Sequence, residues 1–132
     1  MLFRSLAIQS DGTWMYQGSP ITRLALVKLF SSVLYKEENG RSYLKTPREK
    51  VDVAIADAAF IAKAMDVDGQ GQRQTLFFHT NVDECVPASL ENPLRFEINL
   101  KTGAIKPYLL IRYRLEALLS RNVTRQIGRA HV

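Results

Sequence analysis

The chain has little of the chemistry that most catalytic and metal sites need. It contains one cysteine, Cys85, and two histidines, His79 and His131. A single cysteine cannot form an internal disulfide, which is typical of a protein from a reducing compartment. A zinc site needs three or four converging ligands, and a nucleophile needs a base within hydrogen-bonding reach. We therefore expect no metal, no cofactor and no recognisable catalytic residues.

Two short segments resemble metal or nucleophile sites, and both lack a required partner. The loop that begins at Asp66 has Gln70 and Phe77 where a calcium loop needs Asp or Asn and then Glu. Cys85 follows His79 across a predicted turn, but nothing in the sequence supplies a third, orienting group. We interpret the first segment as a plain hairpin loop and the second as a strand histidine beside a buried, inert thiol.

The chain also lacks charge blocks and long apolar runs. Its 18 Lys and Arg residues and 13 Asp and Glu residues give a net charge of +5, and the basic residues are scattered. No apolar run approaches the roughly 18 residues of a membrane span. The sequence thus predicts a cytoplasmic protein with no membrane span and no nucleic-acid partner, and it indicates no oligomeric state. With 46% hydrophobic residues, it can build one compact domain or two small ones.

Both ends of the chain read as translated sequencing-library adapter. Residues 2–5, Leu-Phe-Arg-Ser, can be encoded by CTC TTC CGA TCT. The reverse complement, read one frame over, begins with the codons for the Ile-Gly-Arg-Ala of residues 127–130. We therefore interpret residues 1–5 and 127–132 as adapter-derived and exclude them from the fold prediction.

Turn residues and hydrophobic periodicity predict strands and two helices. The Asp11-Gly12 dipeptide predicts a hairpin over residues 6–16. Ser19 and Pro20 are typical of a helix N-cap and first turn, and the apolar spacing then predicts a helix over residues 20–35. A second helix is predicted from Arg114. The predicted strands cover residues 43–46, 51–55, 60–67, 75–81, 84–89, 94–98 and 105–113.

This order of elements is typical of an α+β fold with mixed or antiparallel sheets and one helix per half. A strand, a glycine turn, a second strand and a helix occur twice, first from Ile8 and again from Ile98. This echo alone leaves a duplicated core as one possibility. The predicted halves are residues 6–58 and residues 59–126.

Seven ordered motifs resemble the bacterial DUF1285 family, whose members have no established activity. The resemblance implies a duplicated α+β core and a C-terminal half similar to a pleckstrin-homology fold. That half would be incomplete, since the family's last strands are missing here, as is its N-terminal extension. The resemblance also implies a ligand site between the halves, for a nucleotide-like molecule, with a role in signalling. The motifs are Asp11-Gly12-Thr13-Trp14, Gly18-Ser19-Pro20-Ile21, Tyr43-Leu44-Lys45-Thr46-Pro47, Asp57-Ala58-Ala59-Phe60, Thr80-Asn81-Val82-Asp83, Lys106-Pro107-Tyr108-Leu109 and Leu115-Glu116-Ala117-Leu118.

Five residues are the candidate ligand-binding residues of that site. Ser19 at a helix start would offer free N–H groups to an anion, unless it only caps its own helix. Arg112 and Arg114 have guanidinium groups that bind phosphate or carboxylate, unless they are simply solvated. Tyr108 would stack against a base, and Asn81 would be a polar anchor.

We therefore expect a small-ligand-binding or sensory module for an anionic molecule, and we lean against an enzyme. The alternative is a protein–protein interaction module that uses an exposed sheet edge or face. A polar cleft would favour the first function, and a large exposed apolar patch would favour the second. A pocket with perturbed titratable groups would instead indicate an enzyme.

Overall fold

The computed structural model describes residues 5–130, which form two six-stranded sheets and two α-helices. Of the adapter-like ends, residues 1–4 and 131–132 lie outside the described range, whereas residues 127–130 continue the second helix. The strands are β1 Leu6–Ile8, β2 Trp14–Tyr16, β3 Ser19–Pro20, β4 Leu34–Lys36, β5 Ser42–Lys45, β6 Lys50–Ile55, β7 Phe60–Asp68, β8 Thr75–Thr80, β9 Cys85–Pro87, β10 Leu94–Ile98, β11 Ile105–Arg112 and β12 Leu115–Leu119. The helices are α1 Leu24–Ser32 and α2 Arg121–Ala130.

The two sheets have the same strand order. The first runs β3-β2-β1-β6-β5-β4, and the second runs β9-β8-β7-β12-β11-β10. In each sheet the first and last strands of the half lie side by side and run parallel. All the other neighbours are antiparallel. Each half therefore consists of two three-stranded meanders joined at a central parallel pair. The predicted α+β class, with one helix per half and a duplicated core, is confirmed.

The duplication does not follow the sequence echo that suggested it. Ile8 lies in β1, whose counterpart by strand order is β7, whereas Ile98 lies in β10, the counterpart of β4. The helices also differ in position, because α1 lies between β3 and β4 in the chain and α2 follows β12. The predicted alignment of the two halves was therefore wrong, although the duplication itself is present.

Helix α1 is shorter than predicted, beginning at Leu24 and ending at Ser32. Ser19 and Pro20, predicted to start the helix, form the short strand β3 against β2. The positive-φ turn just before them returns the chain alongside β2, and proline fits such an edge strand. Arg23 takes the N-cap position without a side-chain hydrogen bond. The prediction of Ser19 as a helix N-cap was therefore wrong.

The second helix also begins later than predicted. Leu115–Leu119 is strand β12, whose side chains alternate between buried and half-buried and which pairs with β7. Tyr113 and Arg114 both have positive φ and turn the chain sharply out of β11. A short apolar run does not distinguish a strand from a helix, so pairing with the sheet decides. The helix begins at Arg121, where the hydroxyl of Ser120 accepts a backbone N–H of the first turn.

One hydrophobic core runs through both halves. Trp14 in the first half and Phe60 and Phe78 in the second are fully buried members of it. Helix α2 packs against β7 and β12 and contributes Val123 and Ile127, both buried. Within residues 5–130, no helix is long and apolar enough to cross a membrane.

Candidate functional site

Arg112, a predicted ligand residue, joins the two halves. Its Nη1 donates to both carboxylate oxygens of Glu84 at 2.7 Å. Its Nη2 donates to the backbone carbonyl of Ser31, at the end of α1, at 3.0 Å. The guanidinium also lies 5.2 Å from the centre of the Phe60 ring. Arg112 therefore ties the end of α1 to the second sheet, and its charge is already balanced by Glu84.

Three other predicted ligand residues have separate roles. Arg114 donates to Glu38 at 3.1 Å. The side-chain oxygen of Asn81 accepts the backbone N–H of Ile61 at 3.0 Å, and the backbone N–H of Asn81 donates to the carbonyl of Ile61 at 2.9 Å. Ser19 is exposed in β3, at the outer edge of the first sheet. In the described part of the chain, no hydrogen bond or ion pair joins Ser19 to the other predicted residues.

Tyr108, the fifth predicted residue, belongs to a charged cluster that the sequence analysis missed. Its hydroxyl donates to Asp57 at 2.7 Å, and Lys106 donates to the other carboxylate oxygen. Arg95 lies 4.4 Å from the centre of the Tyr108 ring and donates twice to Glu116, at 2.8 Å each. Because Arg95 occupies a face of the ring and the ring is buried, Tyr108 is part of the packing in this arrangement.

The pKa shifts in this cluster match a network of fixed charges. Burial raises the pKa of the Tyr108 hydroxyl, and its hydrogen bond to Asp57 raises it further. Burial also acts to raise the pKa of Asp57, but hydrogen bonds from Lys106 and Tyr108 and the charges of Lys106 and Arg95 outweigh it. The pKa of Asp57 therefore lies below its ordinary value. The hydrogen bond to Asp57 raises the pKa of Lys106. At neutral pH Asp57 is paired with Lys106, and Arg95 is paired with Glu116. The pKa values of Asp57, Lys106 and Tyr108 are all shifted away from neutral pH.

Two cavities lie at the junction between the halves. The larger has a volume of about 260 Å³, and Tyr35, Lys45 and Tyr113 are among its lining residues. The smaller is bordered by Lys36, Asp57 and Leu115 and has a volume of about 10 Å³. That volume holds roughly one water molecule. A shallow hollow of about 390 Å³ lies beside it on the first half, where Arg41 pairs with Asp52 at 3.0 Å.

A larger groove opens in the second half, between the start of β11, the end of β12 and α2. Its volume is about 780 Å³, and Ile105, Arg121 and Arg125 are among its lining residues. Phe96 and Ile98 extend the same side of the β10–β11 hairpin, where Ile98 pairs directly with Ile105. We call Phe96, Ile98 and Ile105 the hairpin face. Within residues 5–130, neither Arg121 nor Arg125 forms an ion pair.

An apolar pocket lies in the first half, between α1 and the sheet. Its volume is about 420 Å³, and its surface is mainly hydrocarbon. The lining residues come from strands, from α1 and from the segments that flank them. They are Leu6, Tyr16, Ile21, Leu26, Phe30, Leu44, Thr46, Glu49 and Val51.

The arrangement nearest to a catalytic site lies on the open side of β7, β8 and β9. Cys85 pairs across the strands with His79, whose Nε2 lies 2.7 Å from Asp66. Asp66 is therefore the third, orienting group that the sequence did not reveal. The prediction of a buried thiol was wrong, because Cys85 lies exposed in β9. In the described structure, however, no hydrogen bond joins the thiol to the imidazole, and no described cavity includes them. Acyl transfer also needs oxyanion donors and exclusion of water. Within residues 5–130, no three His, Cys, Asp or Glu side chains form a metal-binding group.

Family models cover nearly the whole chain. The N-terminal domain of unknown function DUF1285 matches residues 4–58, and the C-terminal domain of the protein of unknown function DUF1285 matches residues 59–129. The chain belongs to the DUF1285 family. The membership predicted from the seven motifs is confirmed.

Two solved DUF1285 structures are similar to this one. The crystal structure of a DUF1285 family protein from Silicibacter pomeroyi DSS-3 has a TM-score of 0.88 and 44% sequence identity, and the match covers 94% of this chain and 67% of that one. A DUF1285 family protein from Shewanella baltica OS155 has a TM-score of 0.73 and 21% identity, over 96% of this chain and 92% of that one. The second likeness concerns the fold alone. No curated protein matches the chain.

The DUF1285 motifs contain part of what residue-by-residue reasoning missed. Asp57 opens one motif, and Lys106 and Tyr108 both lie in another. Their alternate positions on a strand place the lysine and the tyrosine on the same side of the sheet. From that spacing one could have predicted that Lys106 and Tyr108 share a partner. The neighbouring sequence does not identify that partner as Asp57, which lies about 50 residues earlier.

Proposed function

We propose that this DUF1285 protein is a protein-interaction module that binds a partner through the hairpin face of its second half. The observation that carries the proposal is the exposure of three neighbouring apolar side chains. Phe96, Ile98 and Ile105 are 52%, 60% and 52% exposed. A contiguous exposed apolar surface with a polar rim is typical of a site that binds another protein.

The hairpin face is open because α2 covers only the centre of the sheet. The helix packs on β7 and β12, whereas β10 is the edge strand beyond β11. Leu94 begins β10 half-buried, and Phe96 and Ile98 follow it toward the hairpin turn with greater exposure. The uncovered apolar surface therefore continues the side of the sheet that carries the core.

Charge favours a partner segment with apolar side chains beside carboxylates. Arg121 and Arg125 of α2 border the groove next to the hairpin face. Carboxylates on a partner would form charge-assisted hydrogen bonds with these guanidinium groups. The chain's net charge of +5 would also speed the approach of an acidic partner.

Binding of peptides of defined composition tests the proposal. A library of peptides that combine apolar and acidic residues is screened against the full chain, and each binder is titrated against Phe96→Asp. We expect at least a tenfold loss of affinity, because the new carboxylate repels the peptide and cannot be buried without a partner. Leu90→Asp is the matched control, since Leu90 is exposed and outside the hairpin face.

Salt dependence and self-association decide between occupants. Binding should weaken as ionic strength rises, because Arg121 and Arg125 contribute part of the attraction. Equal affinities of both aspartate variants would contradict the proposal. A wild-type dimer that Phe96→Asp dissociates would identify a second copy of the chain as the occupant instead.

A site between the halves for an anionic, nucleotide-like ligand stays a prediction, as does a role in signalling. The predicted residues of that site are Ser19, Asn81, Tyr108, Arg112 and Arg114. An anion at Arg112 would have to displace the carboxylate of Glu84. The cost of that exchange is why the hairpin face, rather than the junction of the halves, is our leading proposal.

A further inference from the structure

We infer that the first half also binds a small, uncharged, mainly apolar molecule, in the pocket between α1 and its sheet. This activity is independent of the partner binding proposed for the hairpin face. The pocket volume of about 420 Å³ lies within the roughly 300–1,000 Å³ of small-molecule sites. Lining that is mostly apolar, with few polar groups, is the usual composition of such sites.

The pocket exists because α1 does not pack closely along its whole length. Leu26 and Phe30 lie one turn apart on the same side of the helix, line the pocket and are only partly buried. Leu6 and Leu44 line the opposite wall, on the sheet. Leu29, by contrast, is 60% exposed on the outer side of the helix. The apolar side of α1 therefore faces a space that no side chain of the described residues fills.

The helix is held at one end and along one side. Its last turn is tied to the second half, because the carbonyl of Ser31 accepts the guanidinium of Arg112 at 3.0 Å. Val27 is buried in the core, and Phe30 packs against Trp14 with ring centres 5.8 Å apart. These anchors fix the position of the pocket wall, so the space is part of the folded structure.

The lining decides the charge of the ligand. Its polar side chains are Tyr16, Thr46 and Glu49, and no lysine, arginine or histidine is among the described lining residues. The hydroxyl of Thr46 already donates to the carbonyl of Glu49 and accepts its N–H, at 2.8 and 3.1 Å. An anion would therefore lose its hydration without gaining a cation, which is costly in an apolar site. Dry apolar cavities of only about 150 Å³ already bind benzene, so an uncharged hydrocarbon ligand fits this chemistry.

Trp14 provides a built-in reporter of occupancy. It is the only tryptophan of the chain, it is buried, and its neighbour Phe30 lines the pocket. The probe is N-phenyl-1-naphthylamine, an uncharged fluorophore that accepts excitation energy from tryptophan. Titrated into the full chain, it should give saturable quenching of Trp14 with matching sensitised emission and one-site stoichiometry.

Two aspartate variants on one helix locate the probe. Leu26→Asp, which places a charge in the pocket, should weaken probe binding at least tenfold, whereas Leu29→Asp on the exposed side should leave it within twofold. Equal effects of the two variants, or no energy transfer in the wild-type protein, would overturn the inference. If Leu26→Asp fails to fold, as judged by thermal melting, Ile21→Asp replaces it with the same expectation.

Competition and a second-half variant complete the test. Decanol should displace the probe at least tenfold more effectively than decanoate at neutral pH, and the opposite order would overturn the uncharged-ligand inference. Phe96→Asp should leave energy transfer unchanged. Loss of transfer in that variant would put the probe on the hairpin face and overturn the pocket inference, without bearing on whether the hairpin face binds a protein.

Discussion

The two halves of the chain share one strand order and differ in what their helices cover. In the second half α2 follows the last strand and packs on the central parallel pair, with Val123 and Ile127 buried. In the first half α1 is inserted between the two meanders, and Val27 is its only buried apolar residue. The same sheet topology therefore gives a tightly packed centre in one half and a pocket in the other. Strand pairing fixes the fold, and the point where the helix enters determines which apolar surface stays open.

Removing one phenylalanine from each half is the strongest test of this difference. Phe78 is fully buried in the second half, so Phe78→Ala should cost about 3–5 kcal/mol of unfolding free energy. Phe30 borders the pocket and is only partly buried, so Phe30→Ala should cost about 1–2 kcal/mol. Urea unfolding of the two variants measures both values.

Equal losses in the two variants would mean that Phe30 on α1 is packed as closely as Phe78 in the core of the second half. The pocket would then be transient, and the contrast between the halves would fail. Phe96→Ala, on the exposed hairpin face, serves as the surface control and should stay within about 0.5 kcal/mol of the wild-type protein.

A matched pair of glycines tests how closely the halves approach each other. Gly12 and Gly40 both have φ of +90°, where any other residue is strained. A Cβ at Gly12 would lie 2.7 Å from Ile61 and 2.9 Å from Asn81, both in the second half, whereas Gly40 has nothing within 4 Å. Alanine should cost about 1–2 kcal/mol at either position because of its backbone conformation.

The contact with the second half should add about 1–3 kcal/mol at Gly12 alone. Thermal or urea unfolding of Gly12→Ala and Gly40→Ala measures the difference directly. Similar losses at both positions would show that the second half moves away at little cost, and that the junction is looser than its contacts indicate.

Local sequence pattern predicted most of the strands. It did not decide between helix and strand where the same residues suit both. Alternating apolar residues placed β6, β8, β10 and β11 within a few residues of their observed bounds. Ser19 and Pro20 have helix-start chemistry but lie in an edge strand, because the turn before them brings the chain back to β2. The leucines of β12 suit either helix or strand, and pairing with a strand more than 50 residues earlier decided the outcome.

The candidate site was less predictable, because the partners of its charges are distant in sequence. Arg112 pairs with Glu84, 28 residues away, and also contacts Ser31, 81 residues away. Tyr108 contacts Asp57 at a separation of 51 residues. An arginine that awaits an anion and an arginine that already has a carboxylate look the same in sequence, and only the fold distinguishes them.

The smallest expected effect concerns the carboxylate at the junction of the halves. The folded pKa of Asp57 lies below its ordinary value of 3.8, so Asp57 stabilises the fold above that value and loses this contribution as pH falls through the folded pKa. Asp57→Asn should therefore cost about 1 kcal/mol at neutral pH. The expected loss of unfolding free energy is only about 1 kcal/mol because Lys106 is half exposed and its ion pair with Asp57 is screened by solvent.

The sign of the pH dependence separates this role from simple packing. As pH falls from above 3.8 through the folded pKa of Asp57, the wild-type protein should lose more stability than Asp57→Asn, so that the two unfolding free energies converge at low pH. Asp52→Asn is the matched control, because Asp52 pairs with Arg41 on the open surface of the first half. A difference between wild type and Asp57→Asn that stays constant with pH would mean that the carboxylate's shape, and not its charge, holds Lys106 and Tyr108 of the second half against the first.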